Sequence, residues 1–227
     1  MRRYYLVRHA QTVWNGENRL QGHSDLPLSE LGLRQAECLG TFFASRELRG
    51  ICTSHLQRSR QTARAIAAHR WHASELEVHP GLAEMHLGDW EGLTPEEIDQ
   101  RFDGAYRQWS VRPSSVTIPR AEPLDRFRAR VSEAAQRLLK DFNDEGEYVI
   151  VSHGGVIAAL LADALEADYD VLLRRLRLDN AGVTALDFDG NHSHVLWVNF
   201  TAHLDALVKR TKNGGLNSSV PDNSPGR

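Results

Sequence analysis

The sequence predicts an α/β fold with a mainly parallel central sheet flanked by helices, and three observations carry that expectation. Tyr4-Tyr5-Leu6-Val7 and Tyr148-Val149-Ile150-Val151 are continuous apolar runs bounded by polar residues, the pattern of strands buried on both faces. Between them, apolar residues recur at helical spacing. Alternation of the two patterns is what a parallel sheet covered by helices produces. The 227 residues suit one domain, and 41% hydrophobic with 25% charged residues is the balance of an ordinary globular protein with its own core.

Taken in order, the first strand at 4–7 runs straight into Arg8-His9. Ser29 has the character of a helix N-cap, ahead of Leu33, Ala36, Leu39 and Phe43 at helical spacing. Ile51 and its neighbours read as a third strand, followed by a helix from about Gln57 to His69. The stretch from Pro95 to Pro123 carries Phe102, Tyr106, Trp109 and several prolines with little regular periodicity, and is expected to form a small inserted lobe over the site. Leu124, Phe127, Val131, Ala135, Leu138 and Phe142 form one apolar stripe, which predicts a long amphipathic helix over 124–142. After the strand at 148–151, Gly154-Gly155 opens a helix through Leu165, and Val183–Phe188 and His194–Val198 read as closing strands. From Lys209 onward the chain is polar and rich in Gly, Ser, Asn and Pro, so the domain is expected to span 1–208 and the tail 209–227 to be disordered.

Composition excludes several function classes. A formal net charge of −3 without a basic stripe gives no footprint for nucleic acid. No window approaches the roughly 20 apolar residues of a membrane helix, and Met1-Arg2-Arg3 leads into a short apolar run unlike a secretion signal. A cytoplasmic location is expected, with Cys38 and Cys52 as buried thiols of a reducing compartment. The 11 histidines include His192 and His194, one residue apart on one face of a strand, but no Cys or acidic residue joins them at ligand spacing. They read as a surface pair, and no metal or cofactor is expected. Trp14, Trp71, Trp90 and Trp197 read as packing residues. A small-molecule partner fits this profile best. The oligomeric state stays open, a homodimer being one assembly compatible with it.

The candidate chemistry sits at strand ends. Arg8-His9 and Ser152-His153-Gly154-Gly155 follow the two apolar strands directly, and ligands of open α/β sheets bind beyond the carboxyl ends of strands. Backbone amides at the helix start near Gly154 favour an anion there. Arg58 opens the helix in Ser54–Ala63, and Glu84 lies in Glu84-Met85-His86-Leu87-Gly88-Asp89-Trp90-Glu91-Gly92, where composition alone does not separate it from Glu91.

Leu6-Val7-Arg8-His9-Ala10-Gln11-Thr12-Val13-Trp14-Asn15 resembles the signature of the histidine phosphatase superfamily, the phosphoglycerate mutase-like proteins. Gln21–Gly32, Ser54–Ala63, Glu84–Gly92 and Ser152–Gly154 resemble further family segments in the same order. The resemblance implies a three-layer phosphoglycerate mutase-like sandwich. It also implies that His9 is a nucleophile forming phosphohistidine, that Arg8, Arg58 and His153 clamp the phosphoryl oxygens, and that Glu84 carries the proton of the leaving alkoxide. Asn15, Gln21, Gly22 and Gly154 would touch the substrate. His23, in the segment that resembles the family's substrate loop, and His86 are expected to line the pocket, with Arg120 as a contact for a carboxylate or second phosphate, Trp109 as an apolar wall and His203 near the mouth.

Two departures from the family pattern stand out. Ala10, where Gly often follows the histidine, only adds a methyl near the turn, whereas Arg120-Ala121, where many members carry Gly-Gly before Glu122, bears on the substrate. The segment Glu84–Gly92 is more similar to the phosphatase members than to the glycolytic mutases. The implied activity is therefore metal-independent hydrolysis of a small phosphorylated metabolite. Alternatives are a cofactor-dependent phosphoglycerate mutase and a catalytically inactive binding member. Asn199–Leu204 is similar to a stretch of metal-independent phosphoserine phosphatases, while phosphoglycerate derivatives, sugar phosphates and ribazole phosphate compete as substrates.

Overall fold

The two apolar runs lie side by side at the centre of the sheet in the computed structural model, which describes residues 1–69 and 76–207. In chain order the first half contains β1 (Arg2–Arg8), α1 (Val13–Gly16), α2 (Glu30–Phe43), β2 (Leu48–Thr53), α3 (Gln57–Ala68) and β3 (Glu77–Val78). Then follow α4 (Pro95–Arg101), α5 (Ala105–Val111), α6 (Leu124–Asp141), β4 (Gly146–Ser152), α7 (Gly154–Ala164), α8 (Tyr169–Arg175), β5 (Val183–Phe188) and β6 (Ser193–Phe200). The strand order is β3-β2-β4-β1-β5-β6, parallel from β3 through β1, with β5 antiparallel to both of its neighbours. Trp71 and the tail at 209–227 lie outside the described residues.

Side-chain alternation makes the three layers. Tyr4, Leu6, Tyr148 and Ile150 face one core, which Phe127, Val131 and Leu138 of α6 and Val156, Ile157 and Leu161 of α7 complete. Tyr5, Val7, Val149 and Val151 face the other core, against Ala36, Leu39 and Phe43 of α2 and Ala63 and Ile66 of α3. Strands buried on both faces have no solvent side, which is why these runs are apolar without interruption. Ser29 caps α2 by accepting the Gly32 amide at 3.0 Å. Among the described residues, no helix is long and apolar enough to cross a membrane.

The 95–123 region contains two short helices that its weak periodicity did not announce. Thr94 accepts the Glu97 amide at 3.2 Å while the Glu97 carboxylate accepts the Thr94 amide at 3.0 Å, a capping box with Pro95 in the first turn. Trp90, Ile98 and Ile118 form the small core of this region, with Phe102, Tyr106 and Trp109 packed around it. β3 and α8 were also absent from the sequence expectation. β3 is two residues long, too short to show a period, and α8 is set by Asp168, which accepts the Val171 amide at 2.9 Å. Cys52 is buried on β2, whereas Cys38 on α2 is only partly so.

Candidate active site

The parallel register of β1 and β4 pairs Arg8 with Ser152, so both strands end together and His9 and His153 emerge next to each other. The His9 amide donates to Ser152 O at 2.9 Å, and the two imidazole rings are 5.1 Å apart. Both side chains are buried. His9 Nδ1 lies 2.8 Å from its neighbour's carbonyl, Ala10 O, so the neutral ring carries its proton on Nδ1 and keeps the Nε2 lone pair free. Burial, reinforced by the Arg58 and Arg8 charges, holds the His9 pKa well below its ordinary value. Burial, with Arg58 and His9 as the next contributors, does the same to His153. Two neutral imidazoles therefore sit beside two cations.

Arg58 at the start of α3 is buried, with its Nη1 donating to Ser24 O and its Nη2 to Gly22 O, each at 2.8 Å. Burial pushes its pKa down to about 10, which leaves it charged at neutrality. Arg8 donates through Nη1 to Leu178 O, and burial lowers its pKa while the Glu84 and Asp179 carboxylates oppose that shift. Arg8 Nε, Arg58 Nε and His153 Nδ1 are buried donors without a partner. Orphaned buried donors are uncommon because each costs about 1–3 kcal/mol.

The structure separates Glu84 from Glu91. Glu84 lines the same cavity as Arg8, His9 and Arg58, and its two carboxylate oxygens accept the Met85 amide at 3.0 Å and the Gly155 amide at 3.1 Å. A Cβ at Gly155 would come within 2.5 Å of the Glu84 carboxylate, which would have to shift to make room. Glu91 instead accepts the amides of His23, Ser24 and Leu87, each within 3.0 Å, and holds the 21–24 loop closed. Gly22 in that loop has φ +51°, and a Cβ there would press on Glu91 and the Leu87 backbone.

Asn15, Gln21, Gly22 and Gly154 line the cavity, whose volume is about 480 Å³. Asn15 Oδ1 accepts the Thr12 amide at 3.1 Å and Asn180 Nδ2 at 3.2 Å, which leaves its own amide NH2 as the group offered to a ligand. Trp109 is on the wall, with Tyr106, Tyr169 and Leu173.

His23, His86, Arg120 and His203 are not among the residues lining this cavity, and each side chain has a partner within the protein. His23 turns its Nε2 to Glu84 O at 2.8 Å, and His86 packs edge-on against His23 with its Nε2 3.7 Å from Glu91 Oε1. Both brace the segment that carries Glu84. Arg120 is exposed and paired with Asp89, and its backbone is left-handed, with φ +58°. His203 packs on Phe42 and donates from Nε2 to Ala181 O at 3.0 Å, behind the loop that holds Arg8.

A family model for the histidine phosphatase superfamily (branch 1) matches residues 4–201. The chain belongs to this superfamily. Phosphoglycerate mutase-like protein 4 of Arabidopsis thaliana is 36% identical over 159 residues, covering 68% of this chain and 67% of that protein. Among solved structures, YhfR of Bacillus stearothermophilus is 33% identical with a TM-score of 0.80, covering 90% of this chain and 100% of that one. Mycobacterial glucosyl-3-phosphoglycerate phosphatase in complex with VO3 is 30% identical with a TM-score of 0.79, covering 88% of this chain and 100% of that one. The six-stranded mixed sheet with its helices is the histidine phosphatase fold.

Sequence reasoning missed several residues of this histidine phosphatase superfamily site. Ser54 Oγ lies 2.7 Å from His153 Nε2. Asn180 donates to His9 O at 3.0 Å from a loop that shows no sequence pattern. Arg130 on α6 donates to Gly81 O at 2.9 Å, Ala83 O at 2.7 Å and Glu84 O at 2.8 Å, and forms a two-pronged pair with Glu122 at 2.6 and 2.8 Å. The apolar stripe of α6 draws attention away from its opposite face, where Arg130 lies among other charged residues. Its spacing eight residues after Glu122 was the available signal.

Proposed function

We propose that the chain is a phosphomonoesterase that hydrolyses a small phosphorylated metabolite through a phosphohistidine on His9, without a metal ion. One observation carries this reading: Arg8 and Arg58, which line one cavity with His9, and His153, whose ring is 5.1 Å from that of His9, each have a buried nitrogen without a partner. Such donors suit a ligand that brings several strong acceptors of its own, as a phosphoryl group does. Phosphatases among the relatives support the same reading.

In the first step His9 Nε2 attacks phosphorus in line, and the bond to the alcohol oxygen breaks. Glu84 gives its proton to the departing alkoxide. Arg8, Arg58 and the His153 N–H bind the equatorial oxygens, where the guanidinium charges offset the charge of the transferring group. In the second step Glu84 takes a proton from water as the water oxygen attacks phosphorus. The P–N bond then breaks, phosphate leaves and His9 is neutral again.

The test is phosphate release from phosphoserine, 3-phosphoglycerate, sugar phosphates and p-nitrophenyl phosphate in the presence of EDTA, with His9→Ala in parallel. Release that survives EDTA and disappears in His9→Ala is expected. Isomerisation of 3-phosphoglycerate with 2,3-bisphosphoglycerate, in the absence of release, would replace this reading by a mutase.

A further inference from the structure

The cavity wall carries Arg8, His9, Arg58 and Glu84 and, where it adjoins a second cavity, an apolar end with Met85, Trp109, Tyr169 and Leu173. Beyond Arg8 and Arg58, the wall also carries Arg19, which is already engaged. Arg19 Nη1 donates to Gly92 O and to the Glu97 carboxylate, each at 2.7 Å, and its Nε to the Glu17 carboxylate at 3.2 Å. Arg120, His203, His23 and His86 are all off the wall. Among the described residues, this leaves no uncommitted cation to meet a carboxylate on the alcohol part of a substrate, and a carboxylate buried against Met85, Trp109 and Leu173 would be strongly disfavoured.

A second cavity of about 580 Å³ lies on the other side of that apolar end and shares Met85, Trp109, Tyr169 and Leu173 with the first. Pro113, Ile118, Pro123 and Leu124 extend its surface. Arg128 on this wall donates to the Asp163 carboxylate at 2.5 Å and lies over the Tyr169 ring at 5.0 Å, so its charge is already balanced.

We infer that the alcohol part of the substrate is uncharged and apolar, and large enough to run from the phosphoryl site past Trp109 and Leu173 toward the second cavity. This inference rests on the phosphomonoesterase reading and narrows it away from carboxylated three-carbon alcohols such as those of phosphoserine and 3-phosphoglycerate. Apolar walls with a few convergent polar groups are the usual construction of a site that recognises shape and hydrophobic surface.

The experiment compares kcat/KM for 4-phenylbutyl phosphate, ethyl phosphate, phosphoserine and 3-phosphoglycerate. Calorimetry then compares binding of 4-phenylbutylphosphonate with that of 2-amino-4-phosphonobutyrate, which cannot be hydrolysed. Wild-type protein is expected to prefer the phenylbutyl ester by about tenfold or more, the scale of a hydrophobic pocket contact. Leu173→Ala and Trp109→Ala are each expected to reduce the phenylbutyl-to-ethyl ratio several-fold, and Leu173→Arg to shift preference toward 3-phosphoglycerate. Equal or better turnover of the carboxylated esters would overturn the inference and leave the phosphomonoesterase reading standing. Tighter binding of phenylbutylphosphonate without hydrolysis of any ester would do the reverse.

Discussion

Ser54 Oγ stands 2.7 Å from Nε2 of the buried His153, whose Nδ1 has no partner. With the Ser54 hydroxyl donating, the neutral imidazole carries its proton on Nδ1, and that N–H becomes the one available to a phosphoryl oxygen. Ser54→Ala is expected to lower kcat/KM about tenfold, the equivalent of one hydrogen bond of about 1.4 kcal/mol, by releasing the tautomer. Steady-state kinetics checks this, and unchanged kinetics would show that His153 needs no help to hold its proton on Nδ1.

Glu84→Gln removes the proton carrier but retains a side chain of the same shape. Activity toward an alkyl phosphate is expected to fall at least about a hundredfold, the usual scale of general acid catalysis. The loss should be much smaller for p-nitrophenyl phosphate, whose leaving oxygen is already a stable anion. Equal losses on both substrates would exclude Glu84 as the acid.

Gly155→Ala tests the packing beneath that carboxylate. The new Cβ would sit 2.5 Å from Glu84, forcing the carboxylate away from the Gly155 amide that it accepts at 3.1 Å. The expected outcome is a fall in kcat of about tenfold or more with little change in melting temperature, since the displaced group is a side-chain end facing a cavity. A wild-type kcat in this variant would mean that Glu84 works equally well from a shifted position.

Arg130 ties Gly81, Ala83 and Glu84 carbonyls to Glu122 with one planar guanidinium. Arg130→Lys keeps the charge and loses the fork, so the Glu84 segment loosens. We expect kcat to fall about tenfold with KM nearly constant, a lower melting temperature, and a similar result for Glu122→Gln. A change in KM alone would point to substrate contact instead of positioning.

The imidazoles of His9 and His153 are held neutral by burial and by Arg58 and Arg8. In the unfolded chain both titrate near 6.5, so on acidification the unfolded state takes up protons that the folded state refuses. Stability from this source is fully present above about pH 6.5 and is lost as pH falls below that value toward the lower folded-state values. Histidine NMR at pH 6 is expected to find both rings neutral, and melting temperature should decrease from pH 7.5 to 5.5. Rings that titrate at the free-histidine value would refute this electrostatic account.

Much of the site was legible because its parts are encoded locally. Strand, histidine and helix start are contiguous at 4–13 and at 148–157, so a short window contains both the element and the group it delivers. Thr94-Pro95-Glu96-Glu97 was equally local and announces α4, but the aromatic and proline content of 95–123 hid it. His23, His86, Arg120 and His203 have the right chemistry at nearby positions, yet their direction depends on partners such as Glu84 O, Glu91, Asp89 and Ala181 O.

By itself, the sequence determined the α/β class, the central strands and the presence of His9, Arg8, Arg58, Glu84 and His153 in segments of recognisable spacing. Those are properties of short windows, where apolar period and residue order act directly on the backbone. Tertiary structure alone decided that Glu84 faces the cavity while Glu91 closes a loop, that Ser54 and Asn180 attend the two histidines, and that the apolar end is built from Met85, Trp109, Tyr169 and Leu173. These choices follow from packing between elements up to 171 residues apart, as with Asn180 and His9, where burial and hydrogen-bond satisfaction select a single arrangement.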